Sequence, residues 1–140
     1  MQEASKVMNG TYGSLWVDGE LWAEVESFEA KVNMDYEDVN FANHAGTYKK
    51  GTGWNGEGSI TIKKVYSRIQ RKVANNIKKG IFPRSTIAGK LDDPEAHGAE
   101  RVVLRDVTFN EATLLSFEQK TLGSTEVPFN FSDFSMPDMV

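Results

Sequence analysis

Cysteine is absent from this 140-residue chain, which removes disulfide staples and thiol chemistry at once. Long apolar runs are missing too, and no stretch approaches the roughly 18–20 residues that a membrane-spanning helix needs. The opening residues, MQEASKVMNG, hold no apolar signal core, so the expectation is a chain made in a cytoplasm, with no membrane anchor. The acceptor triplet Asn9-Gly10-Thr11 is therefore read as chance rather than as a glycosylation site. Histidines are scarce. His44 and His97 are the only two, and neither sits in zinc spacing or in a recognisable triad. No Gly-x-Ser-x-Gly elbow occurs, and the expectation is a protein that is not an enzyme and carries no cofactor. Acidic residues are missing from one third of the chain: residues 59–91 contain none, while Lys63, Lys64, Arg68, Arg71, Lys72, Lys78, Lys79, Arg84 and Lys90 fall there. All 20 acidic residues lie outside that stretch. Such a split suits a polyanion partner or a second copy of the chain meeting plus against minus, and the second needs no further ingredient.

What is present is ordinary globular composition, 39% hydrophobic and 26% charged. A chain of this length buries about 68–70% of its unfolded surface as one domain, enough for a true core. Asp18-Gly19 in SLWVDGELWAEV is a strong two-residue hairpin signal, because a type I′ turn needs positive φ at both central positions. It sets Val17 opposite Glu20, Trp16 opposite Leu21 and Leu15 opposite Trp22. The hairpin is then apolar on both faces, where one wet face is usual. The expectation is that Trp16, Leu21, Ala23 and Val25 close the subunit's own core, while Leu15, Val17 and Trp22 meet a neighbouring subunit.

Apolar residues alternate at 21, 23 and 25, then resume at Phe28, Ala30, Val32, Met34 and Tyr36. The phase changes at Glu26-Ser27, where a bulge would keep one long strand, 21–37, facing one core. Residues 40–58 are polar and glycine-rich and read as a long loop, which in a compact domain is usually functional. Residues 59–64 read as a strand with Ile60 and Ile62 inward. Val65, Ile69, Val73 and Ile77 then recur every four residues and predict a helix over 66–79, opened near Ser67 and stopped by Gly80 and Pro83. Residues 85–91 and 100–110 read as strands, 114–120 as a short strand or helical turn, and Val127, Phe129 and Phe131 alternate in a last strand. About six or seven strands with one helix predict a single mainly β domain over 1–140, a barrel or sandwich with a flanking helix.

Three motifs invite chemistry. GTGWNG at 51–56 spells the dinucleotide fingerprint, but that motif needs a strand before it and a helix after it, and here a loop precedes and a strand follows. Asp92, Asp93, Glu95 and His97 cluster around a proline, yet match no calcium-loop spacing and read as an acidic turn. The basic face Arg68, Arg71, Lys72, Lys78 and Lys79 could track phosphates, with Tyr66 or Phe82 stacking on bases. A β-barrel binding nucleic acid through that helix is the alternative reading, opposed by the acidic remainder of the chain.

The segments NGTYGSLWVDGELWAEVESFEAKV, GTGWNGEGSITIKKVYSRI and LRDVTFNEATLLSFEQKTLGSTEVPFNFSDF together resemble the phage tail tube protein family, in the form found in contractile tails and PBSX-like prophages. The resemblance spans nearly the whole chain and extends in architecture to type VI secretion tube proteins. It implies hexameric rings stacked into a hollow tube, a lumen through which DNA or cargo passes without specific binding, and sheath, baseplate and initiator proteins as partners. It implies a place in the virion tail, assembled in a bacterial cytoplasm. Carried onto this sequence, it assigns 40–58 to contacts between rings through Tyr48, Lys49, Lys50 and Trp54, and makes 1–12 a flexible segment that orders on assembly.

Overall fold

The computed structural model describes residues 4–6, 10, 13–63 and 69–139. After a 3-10 turn, Ala4–Lys6, the chain forms β1 (Gly13–Val17), β2 (Glu20–Leu21), β3 (Val25–Val39) and β4 (Tyr48–Lys63). A π-helical turn, Gln70–Ala74, runs into α1 (Asn75–Lys78). Then follow β5 (Ser85–Leu91), β6 (Glu100–Phe109), β7 (Ser124–Phe131) and β8 (Asp133–Asp138). The fold is mainly β, with eight strands among the described residues where about six or seven were expected.

Strand order is β2-β1-β5-β6-β7-β4-β3, with β8 also on β6. Three residues join β2 to β3, so the two ends of this order are tied together and the sheet curls into a barrel-like wall. The Lys63 amide, donating to the Glu24 carbonyl at 3.0 Å, extends the β3–β4 ladder one step into that connection. Strand β6 turns the corner. Asp106 adopts φ 54°, the register against β5 shifts there, and beyond it Thr108 and Phe109 pair with β7. A left-handed bulge residue bends a strand in this way.

The first hairpin forms as its turn chemistry dictates. Asp18 and Gly19 have φ 52° and 81°, and Val17 and Trp16 pair with Glu20 and Leu21. Its faces are the reverse of expectation. Leu15, Val17 and Trp22 are 2%, 0% and 1% exposed and belong to the subunit core with Ile60, Ile87, Leu104 and Phe129, while Leu21 is 49% exposed. They are not available to a neighbour. The reason is that β1 also pairs with β5, Leu15 facing Gly89 and Val17 facing Ile87, and this second ladder turns their side chains under the barrel wall.

The expected strand 21–37 is broken at 22–24, where the Trp22 amide donates to the Leu15 carbonyl at 2.9 Å. It resumes as β3, whose register against β4 shifts between Val25 and Ser27, at the phase change read from the sequence. The largest correction concerns 40–58. Only 40–47 is a loop, since Tyr48–Lys63 is the longest strand in the fold. Glycines hid it, and two of them are required there. A Cβ at Gly56 would lie 2.5 Å from Phe131 Cζ, and one at Gly58 would lie 2.6 Å from Phe129 Cζ. The rings of β7 occupy the space that side chains would take.

The expected helix 66–79 is described only from Ile69 onward. Val65, Tyr66, Ser67 and Arg68 lie outside the described residues, and the described part ends at Lys78. Ile69 and Val73 are buried, but Ile77 is 43% exposed. The π turn carries more residues per turn than the α-helix, so the four-residue stripe drifts off the core after Val73. Residues 114–120 form neither strand nor helix.

Candidate assembly interface

The long strands run past the body that supports them. From Gly56 to Lys63, β4 lies between β3 and β7, with Gly56 facing Phe131 and Lys63 facing Ser124. From Tyr48 to Asn55 its only strand partner among the described residues is β3. Residues 32–39 and 48–55 therefore form a two-stranded arm, about 25 Å long at the usual rise per residue. Its tip is a turn in which the His44 amide donates to the Phe41 carbonyl at 3.2 Å and Asn43 takes φ 66°. Asparagine tolerates this left-handed conformation better than most residues.

Alternation gives the arm two unlike faces. Phe28, Ala30 and Val32 pack against the core, and the same face continues outward through Met34, Tyr36 and Trp54. Met34 and Tyr36 are 62% and 55% exposed. Trp54 is half-covered by Phe134, ring centroids 5.4 Å apart and nearly perpendicular, and by Phe131 at 6.3 Å. The opposite face is polar: Glu29, Asn33, Asp35 and Glu37 with Asn55 and Glu57. Asn33 donates to Glu57 at 2.8 Å, and Lys31 stands 3.6 Å from the same carboxylate. These pairs are exposed and contribute little to stability.

The four residues assigned to the loop all lie on the arm, but on different faces. Tyr48 and Lys50 pair with Val39 and Glu37 on the polar face, whereas Lys49 and Trp54 pair with Asp38 and Met34 on the apolar one. Lys49 is bound to Asp38, and Tyr48 packs against Phe41 and His44 at the tip. The sequence reading missed Met34, Tyr36 and Phe41 as surface groups. The available signal was the length of the alternation, which outruns any neighbouring strand pattern able to cover it.

On the basic helix, Arg71, Lys78 and Lys79 are exposed, and Arg68 lies outside the described residues. Lys72 is turned away from solvent partners and binds Asp18 Oδ2 at 2.8 Å. Asp18 Oδ1 accepts the Thr86 amide at 2.9 Å, so one carboxylate ties the first turn, the helix and β5 together. Burial raises the pKa of Asp18, but the Lys72 ammonium with the Thr86 amide and the Ser85 hydroxyl outweighs it and holds the group below its ordinary value. In the acidic turn, Asp93 is buried and its Oδ1 accepts the Glu95 amide at 2.9 Å. Among the described residues no three carboxylate or imidazole groups gather around a common point.

The profile of the family described as "Phage tail tube protein" matches residues 1–138. The chain belongs to the phage tail tube protein family. It is 37% identical over 138 residues to the phage-like element PBSX protein XkdM of Bacillus subtilis strain 168, covering 97% of this chain and 94% of that one. Among solved structures, the tube-terminating cap of the anti-feeding prophage superposes with a TM-score of 0.77 at 9% identity, over 99% of this chain and 94% of that one. A chain of the sheath-tube complex of an extracellular contractile injection system, in the extended state, gives 0.75 at 10% identity over 99% and 100%. These two likenesses are of fold. The tail tube fold is thus retained where nine residues in ten differ, and GTGWNG sits inside a strand of it rather than in a phosphate loop.

Proposed function

We propose that this chain is the structural subunit of the inner tail tube of a contractile phage, prophage or phage-derived bacteriocin. Copies join into rings, six per ring as the resemblance implies, and the rings stack into a conduit for DNA or cargo. Sheath, baseplate and initiator proteins are its partners in the virion tail, and assembly takes place in the host cytoplasm. Its role is geometric, with no bond made or broken.

The observation that carries this reading is the arm. A two-stranded ribbon is at best marginally stable alone, and open strand edges invite pairing with another chain. This one exposes Met34 and Tyr36 on one face, and both of its outer edges are unpaired among the described residues. A neighbouring copy removes both costs, and closed or stacked symmetry repeats the solution for every copy. The polar face, with Glu29, Asp35, Glu37 and Glu57, suits a bore that repels DNA, and in this reading Tyr48, Lys49, Lys50 and Trp54 of the arm make the contacts between rings.

Electron microscopy of the purified chain at rising concentration tests the reading, with rings or tubes expected. A variant shortened at the arm separates assembly from folding. Asn33 and Asn55 are register partners, so an Asn-Gly turn can join them in place of 34–54. This variant is expected to melt as a folded domain and to form no tubes. A chain that stays monomeric throughout and binds DNA with a steep salt dependence would overturn the proposal.

A further inference from the structure

The arm joins the body at Asn55-Gly56, one of two Asn-Gly pairs in the chain; Asn9 of the other lies outside the described residues. The fold requires the glycine of this pair. Gly56 is buried between Val32 and Phe131, and a Cβ on it would lie 2.5 Å from Phe131 Cζ. The asparagine is held by far less. Asn55 is exposed and faces Asn33 on the two-stranded side of the junction. Its side-chain amide makes no hydrogen bond among the described residues. Met34–Trp54 and Asp35–Gly53 are the next pairs outward, and beyond them the ladder is interrupted at Thr52.

Asparagine is a chemically labile residue, and a glycine after it lacks the Cβ that would shield the next amide nitrogen. In the reaction open to this pair, the Gly56 nitrogen attacks Asn55 Cγ and a C–N bond forms. The side-chain nitrogen leaves as ammonia, taking the Gly56 amide proton. Water then opens the five-membered imide at either carbonyl. Opening at Cγ leaves an ordinary aspartyl residue. Opening at the main-chain carbonyl leaves an isoaspartyl residue, whose backbone runs through Cβ and Cγ and is one carbon longer. Extended backbone blocks the first step, because a strand holds ψ near about +135° and turns the next nitrogen away from Cγ. The imide therefore closes only when Asn55 leaves the ladder. That needs only the arm to open, since every pair from Val39–Tyr48 to Asn33–Asn55 is two-stranded. The three-stranded part, from Gly56 to Lys63, can stay closed.

We propose that Asn55 is a site of spontaneous deamidation, gated by opening of the arm. Conversion puts a carboxylate on the face that already carries Glu57, two residues along the same strand. The isoaspartyl form also moves Trp54 out of step with Gly56 and away from Phe131 and Phe134, its present neighbours. The consequence for assembly rests on the tube reading. A subunit left free ages out of the competent pool, whereas one whose arm is covered by a neighbour is protected.

Peptide mapping by mass spectrometry at mildly alkaline pH reads the conversion as an amide-to-acid mass gain at Asn55, split between aspartyl and isoaspartyl peptides. In the unsubstituted folded chain, kept below assembling concentration, the rate is expected to fall within about a hundredfold of the rate in urea. An Asn55 that stays intact in the folded chain beyond that margin overturns the site. Glu57→Asn supplies the control, because it adds an Asn-Gly pair at 57–58, inside the three-stranded ladder. In urea the two sites of this variant are expected to convert alike. Once a melting curve shows the variant folded, Asn55 is expected to convert at least about tenfold faster than position 57. Equal rates there overturn the gating. Assembly gives a second readout. Aged free subunits are expected to lose tube formation in step with conversion, and Asn55→Gln, whose longer side chain cyclises far more slowly, is expected to keep it. Undiminished assembly of converted chains, or equal loss in Asn55→Gln, overturns the ageing. Failure of the fresh chain to form tubes sinks the tube reading instead, and the two rate comparisons still judge the site.

Discussion

Gly58→Ala tests whether the glycines of β4 are structural requirements or loop residues that happen to be in a strand. Gly58 pairs with Ala30 on one side and Phe129 on the other, at the centre of three strands. A Cβ there overlaps the Glu29 carbonyl oxygen and lies 2.6 Å from Phe129 Cζ and 3.1 Å from Ala30 Cα. The carbonyl belongs to the backbone ladder. Phe129 is fully buried, stacked on Phe28 with ring centroids 6.0 Å apart and planes 7° from parallel. Neither obstacle is the free end of a flexible side chain. Overpacking of this kind costs about 1–3 kcal/mol, and the loss of unfolded-state freedom on replacing glycine returns only about 0.4–1 kcal/mol. With two rigid obstacles the upper half of the cost applies, leaving a net destabilisation of about 2 kcal/mol. For a domain of this size that lowers the melting temperature by roughly 6–12 °C. The assay is thermal unfolding followed by circular dichroism, with Gly53→Ala as the control. Gly53 lies on the arm with nothing within 4 Å of its Cβ position, so its substitution should shift stability by no more than about 0.5 kcal/mol. Melting of Gly58→Ala within about 2 °C of the parent, less than 1 kcal/mol at this size, would refute the argument, as would an equal loss in the control.

Trp22→Ala is expected to destabilise the fold by about 3–5 kcal/mol, measured by urea unfolding, because the indole is fully buried; a near-native midpoint would show that its environment is not the core. Tyr36→Asp, on the exposed arm face, should leave urea unfolding of the isolated subunit unchanged and abolish tubes, and normal polymerisation of this variant would count against the arm. Asp18→Asn should alter the acid limb of the stability curve. The native pKa of Asp18 is depressed, so its contribution is complete above the unfolded value of about 3.9 and is lost as pH falls through the lower native one. The variant should therefore be less stable than the parent at neutral pH and converge with it at the acid end; parallel curves down to low pH would show that the Lys72 contact adds nothing.

Local signals and tertiary ones were unequally legible in the sequence. The hairpin turn at Asp18-Gly19, the bulge at Glu26-Ser27, and β5 could be read because each depends on near neighbours and a period of two. The faces of the first hairpin could not, since both were apolar and the choice was made by β5, some seventy residues away. Strand β4 was misread because its glycines answer to Phe129 and Phe131, which lie far along the chain. The helix stripe was read as far as Val73 and failed at Ile77, where the π turn changed the period. Of the proposed interface, the unusual composition around Tyr48, Lys49, Lys50 and Trp54 was legible, although it was read as a loop and not as a strand. Their division between two faces was not, because that depends on a register shift between Asp35 and Tyr36.

That register shift also bears on how the arm is used. The Asp35–Gly53 and Tyr36–Gly51 pairs flank an extra residue, Thr52, whose hydroxyl donates to the Asp35 carbonyl at 3.3 Å. A bulge increases local twist, so the outer arm is rotated relative to the inner part that β7 supports. Gly51 lies under the Tyr36 ring, whose Cε1 is 3.9 Å from the Cβ position of Gly51. The aromatic ring thus covers backbone that would otherwise be open to water, and its outer side stays exposed. Backbone hydrogen bonds here have solvent on both sides, whereas those from Gly56 to Lys63 lie between two neighbouring strands. Hydrogen exchange should therefore be fast from Tyr48 to Asn55 and slow from Gly58 to Ile62 in the free subunit, since local opening tracks the burial of the ladder. On assembly the outer amides should slow while the inner ones barely change. That pattern would mean that the neighbour supplies the order in the arm while a subunit alone keeps its core.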